Sequence, residues 1–497
     1  MKLFLALLSG ACLVVIFPGF NFTWLAPVAL APLLIACARE SNWKKRFLLG
    51  WASGVLFWFF ICIWIQFVLE VHGGMGRWGG WGTFALFAAL KGLYTAAFAA
   101  FAGPLLRRSW AIPAVAALWV AVEQSHGSIG LAWVGLGFTW LHLGNAAIDW
   151  PLLPRLAPLT GVLGISFVLA MTSCALALIA LKRPPKQLVW LAALAALFVL
   201  PSLPAAASGS ELVQVVQPDI DTESRWTTES FEQMEQRLAT LSQKEDAPLI
   251  VWPEAPAPFY PDRPAFAAFM ASIARGADAT FLMGGVSYTK EGAPLNSAFL
   301  MNPEGRIVER YDKMELVPFG EYIPPAFDWV NRITGEAGDF QPGTRAITLP
   351  LGQHRMGAFI CYESAFPNLV RHFTEQGAEV LVNLSNDGYF GDSDAREQHL
   401  SLVRMRAAEN GRWILRSTND GITAMVDPAG RLTDRIPQHT ETSRLMRFNY
   451  ERHLTVYVRY GDWFPWSCFV CSLAALIASA VADTRKSLIS FAGWGDA

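Results

Sequence analysis

The sequence is short of charge. Of 497 residues only 16% are Asp, Glu, Lys or Arg, and 39 basic side chains stand against 41 acidic ones, for a net charge of −2. Without a basic field to attract a polyphosphate, nucleic acid is excluded as a partner. Scarce charge, 53% hydrophobic residues and a mean hydropathy of +0.31 together exclude disorder, and exclude an ordinary soluble enzyme as the whole molecule. Cysteine is scarce as well, with seven in the chain. No His, Cys and carboxylate group has metal-ligand spacing, so no metal and no cofactor is expected. Internal repeats and low-complexity segments are not apparent. What is plentiful is aromatic: 33 Phe and 20 Trp, suited to lipid contact and interfacial anchoring.

The apolar residues concentrate before Pro204, with one further run near the end. Residues 47–69 and 158–181 are long and uncharged enough to cross a hydrocarbon core of ~30 Å. The runs 3–17, 22–38, 83–106, 110–122, 187–204 and 463–482 are shorter or interrupted, but too apolar for solvated helices. Eight spans are therefore expected: seven in a bundle over 1–204, and one in 463–497 followed by a tail. A cleavable signal peptide is the other reading of 3–17, but the apolar run after the Pro18-Gly19 turn favours a helical hairpin. Lys2, the loop 39–46, Arg107-Arg108, the loop 182–186 and Arg485-Lys486 fall on one side if the spans alternate. The positive-inside rule then places both termini in the cytoplasm and residues 205–462 on the far side. Lys91, in the fourth span, reads either as a functional polar contact or as a snorkelling side chain.

Six cysteines lie in predicted spans, which leaves Cys361 alone in the exported region, a buried spectator or a retained reactive group. From Glu211 onward short β-rich runs alternate with helix-periodic stretches, an α/β pattern. Strands are expected at 212–217, 249–253, 280–285, 296–301, 307–311, 356–360, 380–384, 413–417 and 422–426, and helices at 229–243, 264–275 and 395–410. The turn Asn302-Pro303-Glu304-Gly305 makes one strand pair antiparallel, so the sheet is mixed.

Three polar residues stand at the ends of these strands, where α/β folds place reactive groups. Glu254 ends LIVWPEAP, between prolines and beside Trp252, and is a candidate general base or a solvated carboxylate. Lys313 lies within ERYDKMELVPFGEY, with Asp312, Glu315 and Glu321 as possible ion-pair partners. Cys361 follows the strand MGAFI and precedes Tyr362-Glu363-Ser364, a strand-to-helix turn that can expose a nucleophile and supply amide donors. Alone, each has a bland reading.

Together, the contexts PEAP, YDKMELVPFGEY and GAFICYES resemble the nitrilase, or carbon-nitrogen hydrolase, superfamily over residues 211–446. Seven spans before such a domain and one after it resemble the apolipoprotein N-acyltransferase family, as do LVPFGEYIP, NLSNDGYFGDS, QHLSLVRMRAAENGR and STNDGITA. The resemblance implies an αββα sandwich, Cys361 as nucleophile, Glu254 as general base, Lys313 as oxyanion stabiliser, and Glu321, Tyr362 and Glu363 in support. It further implies a phospholipid acyl donor, a diacylated lipoprotein acceptor, a thioester intermediate, the inner membrane of a diderm bacterium, a periplasmic catalytic domain over 205–462 and a monomer. Trp226 and Trp413 are candidate grips for an acyl chain or headgroup, with core packing as the alternative. His399 is expected in a cap or the core rather than on a metal. The loop 124–157 is read as an entrance, and 323–325 and 336–340 as arms over the site. A membrane-tethered amidase and a transporter with an exported binding domain are the rival readings, weakened by the excess of spans and by Lys91 and Glu123 being the only intramembrane charges.

Overall fold

Strand alternation builds the C-terminal half. The computed structural model describes residues 1–128, 137–206, 208–221, 227–243, 247–255, 259–323 and 340–492, the side chains from 485 onward excepted. Among these described residues twelve strands are present: β1 (Glu211–Gln217), β2 (Leu249–Val251), β3 (Thr280–Tyr288), β4 (Pro294–Met301), β5 (Ile307–Asp312), β6 (Thr348–Leu351), β7 (His354–Ile360), β8 (Val380–Ser385), β9 (Ile414–Thr418), β10 (Thr423–Val426), β11 (Leu432–Ile436) and β12 (Thr442–Phe448). They form two mixed six-stranded sheets, ordered β12-β1-β2-β3-β4-β5 and β11-β10-β9-β8-β7-β6. Successive side chains in a strand point to opposite faces. Accordingly Val213, Val215, Leu249, Val251 and Leu282 pack in the layer between the sheets, while Val216, Ile250, Phe281 and Met283 pack with Met234, Leu238, Phe266 and Met270 of the covering helices Thr228–Ser242 and Pro264–Ala277. Helices Pro367–Glu375 and Ala395–Asn410 cover the other sheet, completing the αββα sandwich.

The two sheets repeat one plan. Starting from β12 or from β6, the pairings run antiparallel, parallel, parallel, antiparallel, antiparallel, with helices at the same crossovers. This is an internal repeat of topology that the amino-acid sequence does not display.

In the N-terminal half, Gly76–Leu105 and Val162–Ala180, together with Trp463–Thr484 near the end of the chain, are each long and apolar enough to cross a membrane. Helix Trp43–Ile61 and the segment Trp64–His72 pass that test jointly, bent by 61° at a break. Lys2–Val15 and Pro185–Val199 are shorter apolar helices, and the run 22–38 is a single turn, Thr23–Leu25, followed by Ala31–Ala38. Breaking a helix strands backbone carbonyls. Here Ile61 O accepts from Gln398 Nε2 of the sandwich at 3.1 Å, and Gln398 Oε1 in turn accepts from Trp140 Nε1 at 2.7 Å.

Candidate active site

The sharp turn after β7 sets the centre of the site. Cys361 has φ +49°, a left-handed conformation worth roughly 1–3 kcal/mol of strain, and opens the 3₁₀ turn Cys361–Ala365. Two clamps grip this turn. Glu363 Oε2 accepts from Ile360 N at 2.6 Å, while Glu363 Oε1 accepts from Tyr311 Oη and Met314 N, both at 2.7 Å. The same carboxyl thus ties the Cys361 turn to the segment that follows β5 and carries Lys313. On the other side, His399 Nε2 donates to Cys361 O at 2.9 Å.

Lys313 is 1% exposed, and its ammonium lies 3.2 Å from Glu254 Oε1 and 2.9 Å from Glu321 Oε1. Asn296 Nδ2, from β4, donates to the same two oxygens at 2.7 Å each. The second oxygens are held by backbone: Asn386 N donates to Glu254 Oε2 at 2.9 Å, and Val317 N to Glu321 Oε2 at 2.8 Å. Neither Asp312 nor Glu315 ion-pairs with Lys313; Asp312 binds Arg310 and Ser297 instead. Burial opposes the charge of Lys313, yet Glu254 and Glu321 hold its ammonium well above the ordinary lysine range. Burial, then the Glu254 charge, push the Cys361 thiol up, against the pull of Lys313. This environment favours the protonated thiol at Cys361 over a thiolate. Glu363 is fully buried, which pushes its carboxyl up to about 7 against the hydrogen bonds it accepts.

Glu254, Lys313, Glu321, Cys361 and Tyr362 all line one cavity of about 280 Å³. Its other wall is apolar and comes from the N-terminal half, including Trp64, Val68, Leu86, Phe87, Leu90 and Phe138. Tyr362 is buried and stacks on Phe138 and Trp140, with ring centroids 5.9 and 6.4 Å away. Lys91 does not snorkel: it is 1% exposed, donates to Phe138 O at 2.9 Å and sits 4.7 Å over Trp58 and 4.8 Å over Tyr94.

Trp413 is corrected from a substrate grip to a core residue. It is 2% exposed at the foot of β9, where its carbonyl accepts from Leu381 N, and it does not line the cavity. Trp226 lies outside the described residues, as do 324–325, 336–339 and 129–136 of the expected arms and entrance. His399 is a core residue as expected, though one with a polar network of its own. Sequence reasoning missed Asn296, which opens the expected strand 296–301 and is the third residue of β4. It also missed Asp387, which sits within a motif that resembled the family but suggested no role, and Arg416, which falls between two such motifs. Among the described residues no group of three or more His, Cys, Asp or Glu is arranged to hold a metal ion.

Comparison with known proteins bears on the whole chain. Residues 212–449 match the carbon-nitrogen hydrolase family, and residues 9–175 match the apolipoprotein N-acyltransferase N-terminal domain. An apolipoprotein N-acyltransferase from Geobacter metallireducens is 33% identical over 97% of this chain and 96% of its own length. One from Azotobacter vinelandii is 31% identical over 92% of this chain and 91% of its own. Among solved structures, a carbon-nitrogen hydrolase from Helicobacter pylori aligns with 48% of this chain and 89% of its own, at 18% identity and a TM-score of 0.38. An amidase from Nesterenkonia sp. aligns with 52% of this chain and 95% of its own, at 17% identity and a TM-score of 0.37.

Proposed function

The chain belongs to the apolipoprotein N-acyltransferase family, an acyltransferase branch of the carbon-nitrogen hydrolases, and from that premise we propose that it transfers acyl groups through a thioester on Cys361. The observation that carries the proposal is the single cavity in which the triad residues face an apolar wall supplied by the N-terminal half. A phospholipid can keep its chains among Leu86, Phe87 and Leu90 while its ester carbonyl reaches the thiol.

In the first half-reaction Cys361 Sγ attacks the ester carbonyl and Glu254 takes the thiol proton. Negative charge gathers on the carbonyl oxygen, where Lys313 offers a fixed, buried donor, and one such donor is typically worth about 3 kcal/mol. The C–O bond breaks, Glu254 returns the proton to the departing lysophospholipid oxygen, and a thioester remains. In the second half-reaction the α-amine of a diacylglyceryl-cysteine attacks the thioester. Glu254 takes a proton from the amine nitrogen, the C–S bond breaks, and the proton passes to Cys361 Sγ as the amide is released. Glu321 and Asn296 hold Lys313 and Glu254 in register throughout.

Eight spans with both termini in the cytoplasm, a catalytic domain in the periplasm and a monomer in the inner membrane complete the reading; the basic-residue asymmetry of the loops supports the orientation. The test uses proteoliposomes holding phospholipid and a diacylglyceryl-cysteine peptide. One N-acyl peptide should form per lysophospholipid released. Release of free fatty acid in place of N-acyl peptide would make the protein a hydrolase and sink this reading.

A further inference from the structure

The nucleophile turn has a second brace that the acyl-transfer steps above do not use. His399, Asp387 and Arg416 are each 0% exposed. They come from three successive places around the second sheet: Asp387 just after β8, His399 from helix Ala395–Asn410, and Arg416 from β9. Arg416 Nη2 donates to Asp387 Oδ2 at 2.7 Å and to Oδ1 at 2.9 Å, and Ser385 Oγ donates to Asp387 Oδ1 at 2.8 Å. His399 Nδ1 lies 3.0 Å from Asp387 Oδ1 and 3.2 Å from Arg416 Nη2. Its Nε2 faces the Cys361 carbonyl, which has no hydrogen to give, so Nε2 carries the hydrogen of that contact. Burial, with the Arg416 charge, pushes the imidazole below its ordinary range, while the Asp387 carboxylate facing Nδ1 opposes that shift. The ring is walled by Trp140 and Phe390, which leaves it little freedom to turn.

We propose that His399, set by Asp387 and Arg416, is a positioning residue that holds the Cys361 carbonyl and so keeps the nucleophile in its left-handed conformation beside Glu254 and Lys313. The backbone is then gripped before and after Cys361, by Glu363 at Ile360 N and by His399 at Cys361 O. A brace of this kind acts on the rate of attack more than on lipid binding.

The inference rests on the thioester reading, and the experiment separates the two. Full-length wild type, His399→Phe and His399→Gln are mixed with phospholipid vesicles, and thioester formation is followed by intact mass in a single turnover. A misplaced nucleophile should slow acylation by about 100-fold in His399→Phe, with KM for phospholipid within about twofold of wild type. His399→Gln, which keeps an N–H donor, should regain about tenfold of that loss. Equal rates for His399→Phe and wild type, or equal slowing by both substitutions, would overturn the brace. Should His399→Phe not fold, His399→Leu takes its place in the same comparison; if neither folds, acylation by His399→Gln more than about 100-fold below wild type overturns the proposal, and slowing within that range upholds it. Absence of an acyl adduct on wild-type Cys361 would instead fail the thioester reading itself.

Discussion

At the scale of single residues, the site is governed by which charges are buried together. Lys313 sits between Glu254 and Glu321, with Asn296 bridging the same oxygens, so removing the ammonium would leave two carboxylates facing each other away from water. Breaking such a buried pair typically costs ~3–5 kcal/mol. Lys313→Met is therefore expected to lower the thermal unfolding midpoint and abolish activity, whereas Lys313→Met with Glu321→Gln should recover stability without activity; calorimetry and acyl-transfer assays on the two variants check this. The pH response of Cys361 has a definite sign. Because burial and Glu254 raise the thiol, little thiolate exists at neutral pH, and the rate of alkylation by iodoacetamide should keep rising through the range where an ordinary cysteine has levelled off. A midpoint near pH 8.5, as for an ordinary cysteine, would contradict that environment. Glu254, Lys313 and Cys361 were legible because each ends a strand within a distinctive motif. Asn296 and Asp387 were not, because their importance lies in contacts to residues 42 and 29 positions away in the chain, which no local pattern reveals.

At the scale of elements, close packing of β3 against the turn after β2 puts Glu254 in place. A methyl group on Gly284 would stand 2.6 Å from Glu254 Cα, Ala255 N and Pro253 O, with backbone on every side and nothing able to yield cheaply. Gly284→Ala should thus reduce kcat by at least about tenfold while the sandwich remains folded, since a small displacement of a catalytic group is enough for such a loss. In the bundle, Lys91 donates to the carbonyl of Phe138, whose ring lines the cavity and stacks on Tyr362. Lys91→Met keeps the stem and loses both the donor and the cation over Trp58, so weaker acyl-donor binding and a higher KM for phospholipid are expected. Nine strands were expected and nine lie where the pattern put them, within a few residues at their ends. The three that escaped, β6, β11 and β12, are all sheet edges. Edge strands carry proline and charge to discourage pairing with other chains, and Pro350 in β6, Asp434 and Arg435 in β11, and Arg444 and Arg447 in β12 mask the alternation that betrays a strand.

At the scale of the whole molecule, the sandwich and the bundle are joined by polar contacts, three of the following buried. Gln398 reaches Ile61 O, Thr139 Oγ1 donates to Ala365 O at 2.7 Å, Val162 N donates to Glu409 Oε1 at 2.8 Å, and Asp462 accepts from both Gln124 and Asn368. A joint of this kind holds Cys361 at a set height above the apolar wall, which suits substrates that stay in lipid. The twofold plan of the sandwich was invisible in the sequence, because topology repeats in hydrogen-bond direction and not in residue identity. The bundle was legible as a run of apolar segments, but the break between Ile61 and Trp64 was not, since residues 47–69 read as one uninterrupted span. If the proposed orientation holds, alkaline phosphatase fused after residue 204 will be active and a fusion after residue 484 will not. The central claim is that Cys361 carries the acyl group, and intact mass spectrometry of the purified protein with phospholipid, before and after neutral hydroxylamine, tests it most directly. The expected result is a hydroxylamine-labile gain of one fatty acyl group in wild type, absent from Cys361→Ala and discharged by a diacylglyceryl-cysteine peptide. Acyl transfer to that peptide by folded Cys361→Ala at the wild-type rate, or a wild type that acylates the peptide with no adduct at Cys361, would contradict it.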